Sequence, residues 1–210
     1  MTPPTAPPDT SGNGPHDDGP WNFALPRRQK VVLVMDLVES VRLMAANEAA
    51  VVQRWHAFAQ NARAHVLPQH HGRHVKSLGD GLLAEFDSAP EAVQAARELQ
   101  HYFDDENHRL PADERLYLRA GLNAAQVYVD NIDIYGAGVN LAARVAGLAG
   151  PGETIVTSEV RDLLTDGLDG DIEDMGECHL KHVSQPVRVW RVGAAGSAPV
   201  LPPGESLERD

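Results

Sequence analysis

Six patterned segments follow one another as strand, helix, strand, strand, helix, strand, an order that leaves few folds open. Lys30 to Met35, KVVLVM, is rich in β-branched residues and ends at Asp36, which predicts a buried strand with a carboxylate at its carboxyl end. Val51, Trp55, Phe58, Ala62 and Val66 then recur at helical spacing, and Pro68 is expected to end that helix. Arg73 to Leu78 and Leu82 to Phe86 predict two strands joined by the turn Gly79-Asp80-Gly81. Ser88 and Pro90 open a second helix with Ala92, Ala95, Leu99 and Phe103 on its apolar side, and Leu116 to Leu122 resumes strand character. This order predicts an α+β fold: a ferredoxin-like βαββαβ core, an antiparallel sheet with helices on one face. A C-terminal extension follows, with a helix from about Gly138 to Leu148 and short strands at Thr154 to Thr157 and Pro186 to Val192.

The pattern occupies residues 28–193, one domain. Residues 1–27 and 194–210 are rich in Pro, Gly, Ser and Asp and read as a disordered N-terminal arm and a flexible C-terminal tail. The net charge of -12 disfavours nucleic acid and anionic membranes as partners, since both require basic surface. One cysteine, Cys178, excludes an intramolecular disulfide framework and reads as a packing residue. With no secretory leader pattern and no long apolar run, the expectation is a cytoplasmic protein with no membrane partner.

Chemistry concentrates in two aspartates. Asp36 ends the first strand and Asp80 sits at the hairpin tip, so a ferredoxin-like order brings both to one sheet edge. Two such charges about 4 Å apart repel by roughly 4 kcal/mol at an effective dielectric near 20, and the pair needs a proton or a cation. Oxygen-only ligation favours Mg2+ or Mn2+ over zinc. Asn140 and Arg144, four apart on a helix, project from one face about 6 Å apart along the axis. Gly136 and Gly138 precede them and are expected to leave the helix end open to an anion. His70, His71 and His74 read as a polar connection in preference to a metal site, and Trp55 and Phe58 as core.

Together, in this order, these residues resemble the class III nucleotidyl cyclases over about Lys30 to Val192. The resemblance implies two Mg2+ or Mn2+ ions per active site, bound at Asp36, Leu37 and Asp80. Lys76, in Lys76-Ser77-Leu78-Gly79-Asp80-Gly81, is similar to the base-selecting lysine, and Asp133, in Asp133-Ile134-Tyr135-Gly136, to its acidic partner. Val139-Asn140-Leu141-Ala142-Ala143-Arg144 is similar to the segment in which the asparagine orients ribose and the arginine balances transition-state charge. Arg119 and Lys181 resemble phosphate-contacting positions. The implied assembly is a homodimer, with the metal aspartates of one subunit facing Lys76, Asp133, Asn140, Arg144 and Lys181 of the other.

The implied activity is that of an adenylate cyclase, converting ATP to 3',5'-cyclic AMP and pyrophosphate. A lysine donor and an aspartate acceptor match the N1 acceptor and exocyclic amine of adenine, and guanine reverses that pattern. Cytosine offers the same edge on a smaller ring, so CTP and GTP cyclases stand as alternatives, as does a silent nucleotide-binding module. The chain departs from the family's usual pattern in its turns. Glu39 and Val41 stand where glycine and threonine are usual, His182 follows Lys181 where glycine is common, and Asn123 to Gln126 replace the usual glycine after the Gly121 strand.

Overall fold

The computed structural model describes residues 25–164 and 172–193, so the expected tail and most of the arm lie outside the described residues. β1 (Arg27–Leu37) leads into α1 (Ser40–Asn61), a π-turn (Ala62–Val66) and α2 (Leu67–Gln69). The hairpin β2 (Arg73–Ser77) and β3 (Gly81–Phe86) follows, then α3 (Ala89–Gln100), α4 (Asp104–Asn107) and the long β4 (Leu118–Val129). β5 (Ile134–Tyr135), α5 (Ala137–Ala146), β6 (Thr154–Thr157), α6 (Ser158–Arg161), β7 (Ile172–Cys178) and β8 (Val187–Val192) complete the chain. The sheet runs β2-β3-β1-β4-β6-β8-β7, with β5 paired to β4. Its first four strands have the ferredoxin-like order. The strand begins at Arg27, and the Pro26 carbonyl already accepts a hydrogen bond from Val129.

The sheet is covered on both faces, which is why β1 reads as a continuous apolar run. Val31, Leu33, Met35 and Leu37 join the larger core with Trp55 and Phe58 of α1 and Ala92, Ala96 and Leu99 of α3. Val32 and Val34 point the other way, into a smaller cluster with Ala142 and Ala146 of α5. Asp36 lies between Met35 and Leu37, so strand alternation turns it to the α5 side. The helices of the core, α1 and α3, therefore share one face as expected, and α5 of the extension covers the other. The extension also breaks the antiparallel pattern, because α5 is the crossover that lets β6 pair parallel with β4.

α1 contains a break at Asn47 (φ -156°, ψ 78°), whose side chain accepts from the Ala50 backbone N–H. The apolar period begins at Val51 because Asn47 caps a fresh start there. The helix then passes Pro68 instead of ending before it. In the π-turn, the Leu67 N–H reaches the carbonyl of Ala62, five residues back, and this wider turn admits a ring that a regular helix would exclude. Ser88 caps α3 as expected, accepting from the Glu91 N–H at 3.4 Å. β7 is an edge strand with mostly exposed residues, and no apolar alternation announced it.

Glycine fixes how closely α5 approaches the sheet. A Cβ on Gly121 of β4 would lie 2.1 Å from the Ala146 nitrogen and 2.7 Å from the Ala142 carbonyl oxygen. Gly138, expected to open the helix end to an anion, is a packing residue instead: its Cβ would lie 2.4 Å from that of Ala125.

Candidate functional site at the sheet edge and along α5

The candidate residues fall into three sets. The first lies where β1 meets β4. Asp36 and Arg119 are direct register partners, and the guanidinium grips both carboxylate oxygens, Nε to Oδ1 at 2.5 Å and Nη2 to Oδ2 at 3.3 Å. The hairpin tip is tied to the same edge, since the Leu37 N–H donates to the Asp80 carbonyl at 3.1 Å. Burial raises the Asp36 carboxyl above the usual carboxylate range; the hydrogen bond and charge of Arg119 oppose this, and the neighbouring Asp80 adds to the rise. The two expected metal aspartates are therefore brought within electrostatic reach of each other. Arg119, expected on a phosphate, is bound to one of them.

The second set is Lys76 and Asp133, whose Nζ and Oδ2 are 2.5 Å apart. Asp133 is held by a turn that sequence reasoning did not single out. Asp130 Oδ1 accepts from the backbone N–H groups of Ile132 at 2.7 Å and Asp133 at 2.6 Å, and these bonds hold its pKa below the usual value. The spacing Asp130-x-x-Asp133 is an Asx-turn signal that could have been read.

The third set lines an open cavity of about 850 Å³ that includes Asn140, Arg144, Lys181 and Glu159. α5 buries Ala142, Val145 and Ala146, which leaves Asn140 and Arg144 exposed on its other side, as their spacing requires. Arg144 has no hydrogen-bond or ion-pair partner among the described residues. Asn123, buried within β4, anchors the start of the helix: its Nδ2 donates to the Gly138 carbonyl at 2.9 Å, and its Oδ1 accepts from Thr157 Oγ1 at 3.1 Å. An asparagine inside an apolar strand was the signal for this role.

The departures in the turns have a common geometry. Glu39 (φ 55°) and His182 (φ 63°) both adopt the left-handed conformation that glycine takes without cost, and each stands where glycine is usual among the cyclases resembled. The Glu39 carboxylate meets the Arg42 guanidinium at 2.9 Å, and Val41 points into solvent. His70 and His71 are engaged by Glu98 and Glu91, each at 2.8 Å. Among the described residues, no group of three or more His, Cys, Asp or Glu side chains is placed to hold a metal. None of their helices is long and apolar enough to cross a membrane.

The chain is 31% identical to an adenylate/guanylate cyclase/hydrolase from Silicibacter pomeroyi, with a TM-score of 0.74 over 80% of this chain and 98% of that one. It is 25% identical to the guanylyl cyclase Cya2, with a TM-score of 0.69 over 82% of this chain and 95% of that one. A Rhizobium meliloti protein provisionally named adenylate cyclase 3 is 34% identical over 168 residues, 78% of this chain and 28% of its own length. An uncharacterised Mycobacterium bovis protein is 36% identical over 95 residues, 45% of this chain and 24% of its own length, so the chain spans about a quarter of each of these two curated relatives. Residues 26–192 match the family described as the adenylate and guanylate cyclase catalytic domain, and the chain belongs to that family.

Proposed function

We propose that this protein is a cytoplasmic adenylate cyclase that acts as a homodimer with two shared sites. The observation that supports this best is how the charges of the three sets are partnered. The acidic edge is balanced by Arg119, Lys76 and Asp133 pair with each other, and the Arg144 guanidinium makes no ion pair among the described residues, although Glu159 lines the same cavity. A second copy supplies what each half lacks, and two-fold symmetry makes two equivalent sites.

In this reading, the ribose 3'-oxygen attacks the α-phosphorus, the P–O bond to pyrophosphate breaks in line, and the 3' proton is lost. Asn140 orients the ribose. Arg144 faces charge developing on the α-phosphate and leaving oxygens, an interaction of a kind typically worth about 2.7 to 4 kcal/mol. Lys181 and Arg119 are the cations assigned to the polyphosphate. The oxygen donors Asp36, Asp80 and the Leu37 carbonyl suit Mg2+ or Mn2+, and a mutually repelling acid pair fits such ions. Two such ions would supply charge neutralisation and a more acidic 3'-hydroxyl.

Lys76 and Asp133 place a donor beside an acceptor, which matches adjacent acceptor and donor atoms on adenine. Guanine leaves each of the two unmatched at a cost of about 1 to 3 kcal/mol. Turnover of ATP, GTP, CTP and UTP, with Mg2+ and with Mn2+ and products identified by mass spectrometry, is expected to rank ATP first. GTP as the best substrate would refute the pairing, CTP would move selection to pocket depth, and no product from any triphosphate would favour a silent module.

A further inference from the structure

We propose that Arg119 competes with divalent cations for Asp36. The guanidinium fills the carboxylate oxygens that a cation needs, so binding the ion releases the arginine, which is then free to meet a polyphosphate. This rests on the reading that Asp36 and Asp80 hold such ions. Four observations support it. Register places the two residues directly opposite each other on β1 and β4, so no loop motion is needed to form the pair. Both oxygens of Asp36 accept from the fork, at 2.5 Å and 3.3 Å. The two side chains are only 31% and 27% exposed, so solvent screens their charges incompletely. Finally, Asp36 is the only charged partner of Arg119 among the described residues, and the Asp80 carboxylate accepts no hydrogen bond among them.

Mg2+ requires oxygen at about 2.0 to 2.1 Å, and a full positive charge already hydrogen-bonded to that oxygen opposes it. A purely structural ion pair predicts the opposite response to mutation. If Arg119 merely holds Asp36 in place, its removal loosens the carboxylate and weakens cation binding. If it competes, its removal strengthens binding. Lysine keeps the charge but loses the fork, so Arg119→Lys is expected to remain closer to wild type than Arg119→Met.

The test uses the full chain without nucleotide and measures bound Mn2+ by electron paramagnetic resonance. Arg119→Met is expected to bind Mn2+ about tenfold more tightly than wild type, and Asp36→Asn to lose that binding in either background. Affinity that is unchanged or weaker in Arg119→Met overturns the proposal, as does absence of Mn2+ binding to both proteins. A measurement on the unaltered chain guards against a variant that fails to fold. The Arg119 Nε–H resonance of 15N-labelled protein should be protected without metal and lose that protection as Mg2+ is added; persistence at saturating Mg2+ also overturns it. Turnover is scored separately. Tighter Mn2+ binding without product from any triphosphate would sustain the competition and defeat the cyclase reading, and product with unaltered Mn2+ affinity would do the reverse.

Discussion

Asp36 at the end of β1 and Arg144 on α5 are opposite charges on the same side of the sheet, and the chain treats them differently. Asp36 is partly buried and gripped by Arg119, whereas Arg144 is exposed beside an open cavity and makes no ion pair among the described residues, Glu159 lying elsewhere on the cavity wall. A half-buried carboxylate without a partner is costly, while an exposed guanidinium is solvated. The acidic half of the candidate site can therefore be balanced within one chain, and the cationic half can await a ligand or a second copy.

The sharpest way to break this comparison is to remove each charge and then mix the proteins. Asp36→Ala alone is expected to reduce cyclase turnover to background. Mixed with Arg144→Ala, it should restore about a quarter of the wild-type rate, since half the dimers are mixed and each has one intact site. Failure to complement, with both variants folded and dimeric, would place the two charges in one protomer's site. Arg144→Ala alone is expected to lower kcat about 100-fold or more with a smaller change in KM; an unchanged kcat would make its exposure incidental.

A smaller effect distinguishes two carboxylates. Asp36 has a raised pKa in the folded chain, so its contribution to stability is present below the ordinary carboxylate value and lost as pH rises through the raised one. Asp130 has a lowered pKa, so its contribution is present above the ordinary value and lost as pH falls through the depressed one. Urea melts from about pH 3 to pH 7 should show Asp36→Asn gaining on wild type as pH rises and Asp130→Asn gaining as pH falls. Parallel trends would remove the distinction. Smallest of all, His182→Gly should add about 0.5 to 1 kcal/mol of stability by relieving a left-handed residue, offset in part by the entropy of the unfolded chain. No shift in denaturation midpoint would mean that little strain is stored beside Lys181.

The sequence made some of this legible for clear physical reasons. β1, β3 and β6 are buried runs of β-branched and other apolar residues, and Gly79-Asp80-Gly81 marks its hairpin, so the edge bearing Asp36 and Asp80 could be anticipated. The spacing of Asn140 and Arg144 fixed their shared helical face. What could not be read depends on long-range register and on which face an element packs against. Arg119 and Asp36 are 83 residues apart, and only the β1–β4 register sets them opposite each other. α5 is amphipathic in either case, and only packing shows that it covers the face opposite α1 and α3. β7 is exposed along most of its length, so burial left no period in it.

Gly121 sets a limit on drift at this site. Because β4 offers only a hydrogen atom where α5 crosses it, Ala142 and Ala146 rest on bare backbone, and Arg144 is carried midway between them on the outer side of the helix. The strand thus acts as a gauge block whose thickness determines how far the cation stands above the sheet. A single methyl group at that position would jack the helix outward, and a displacement of about 1 Å is enough to misalign a charge with a reacting phosphate.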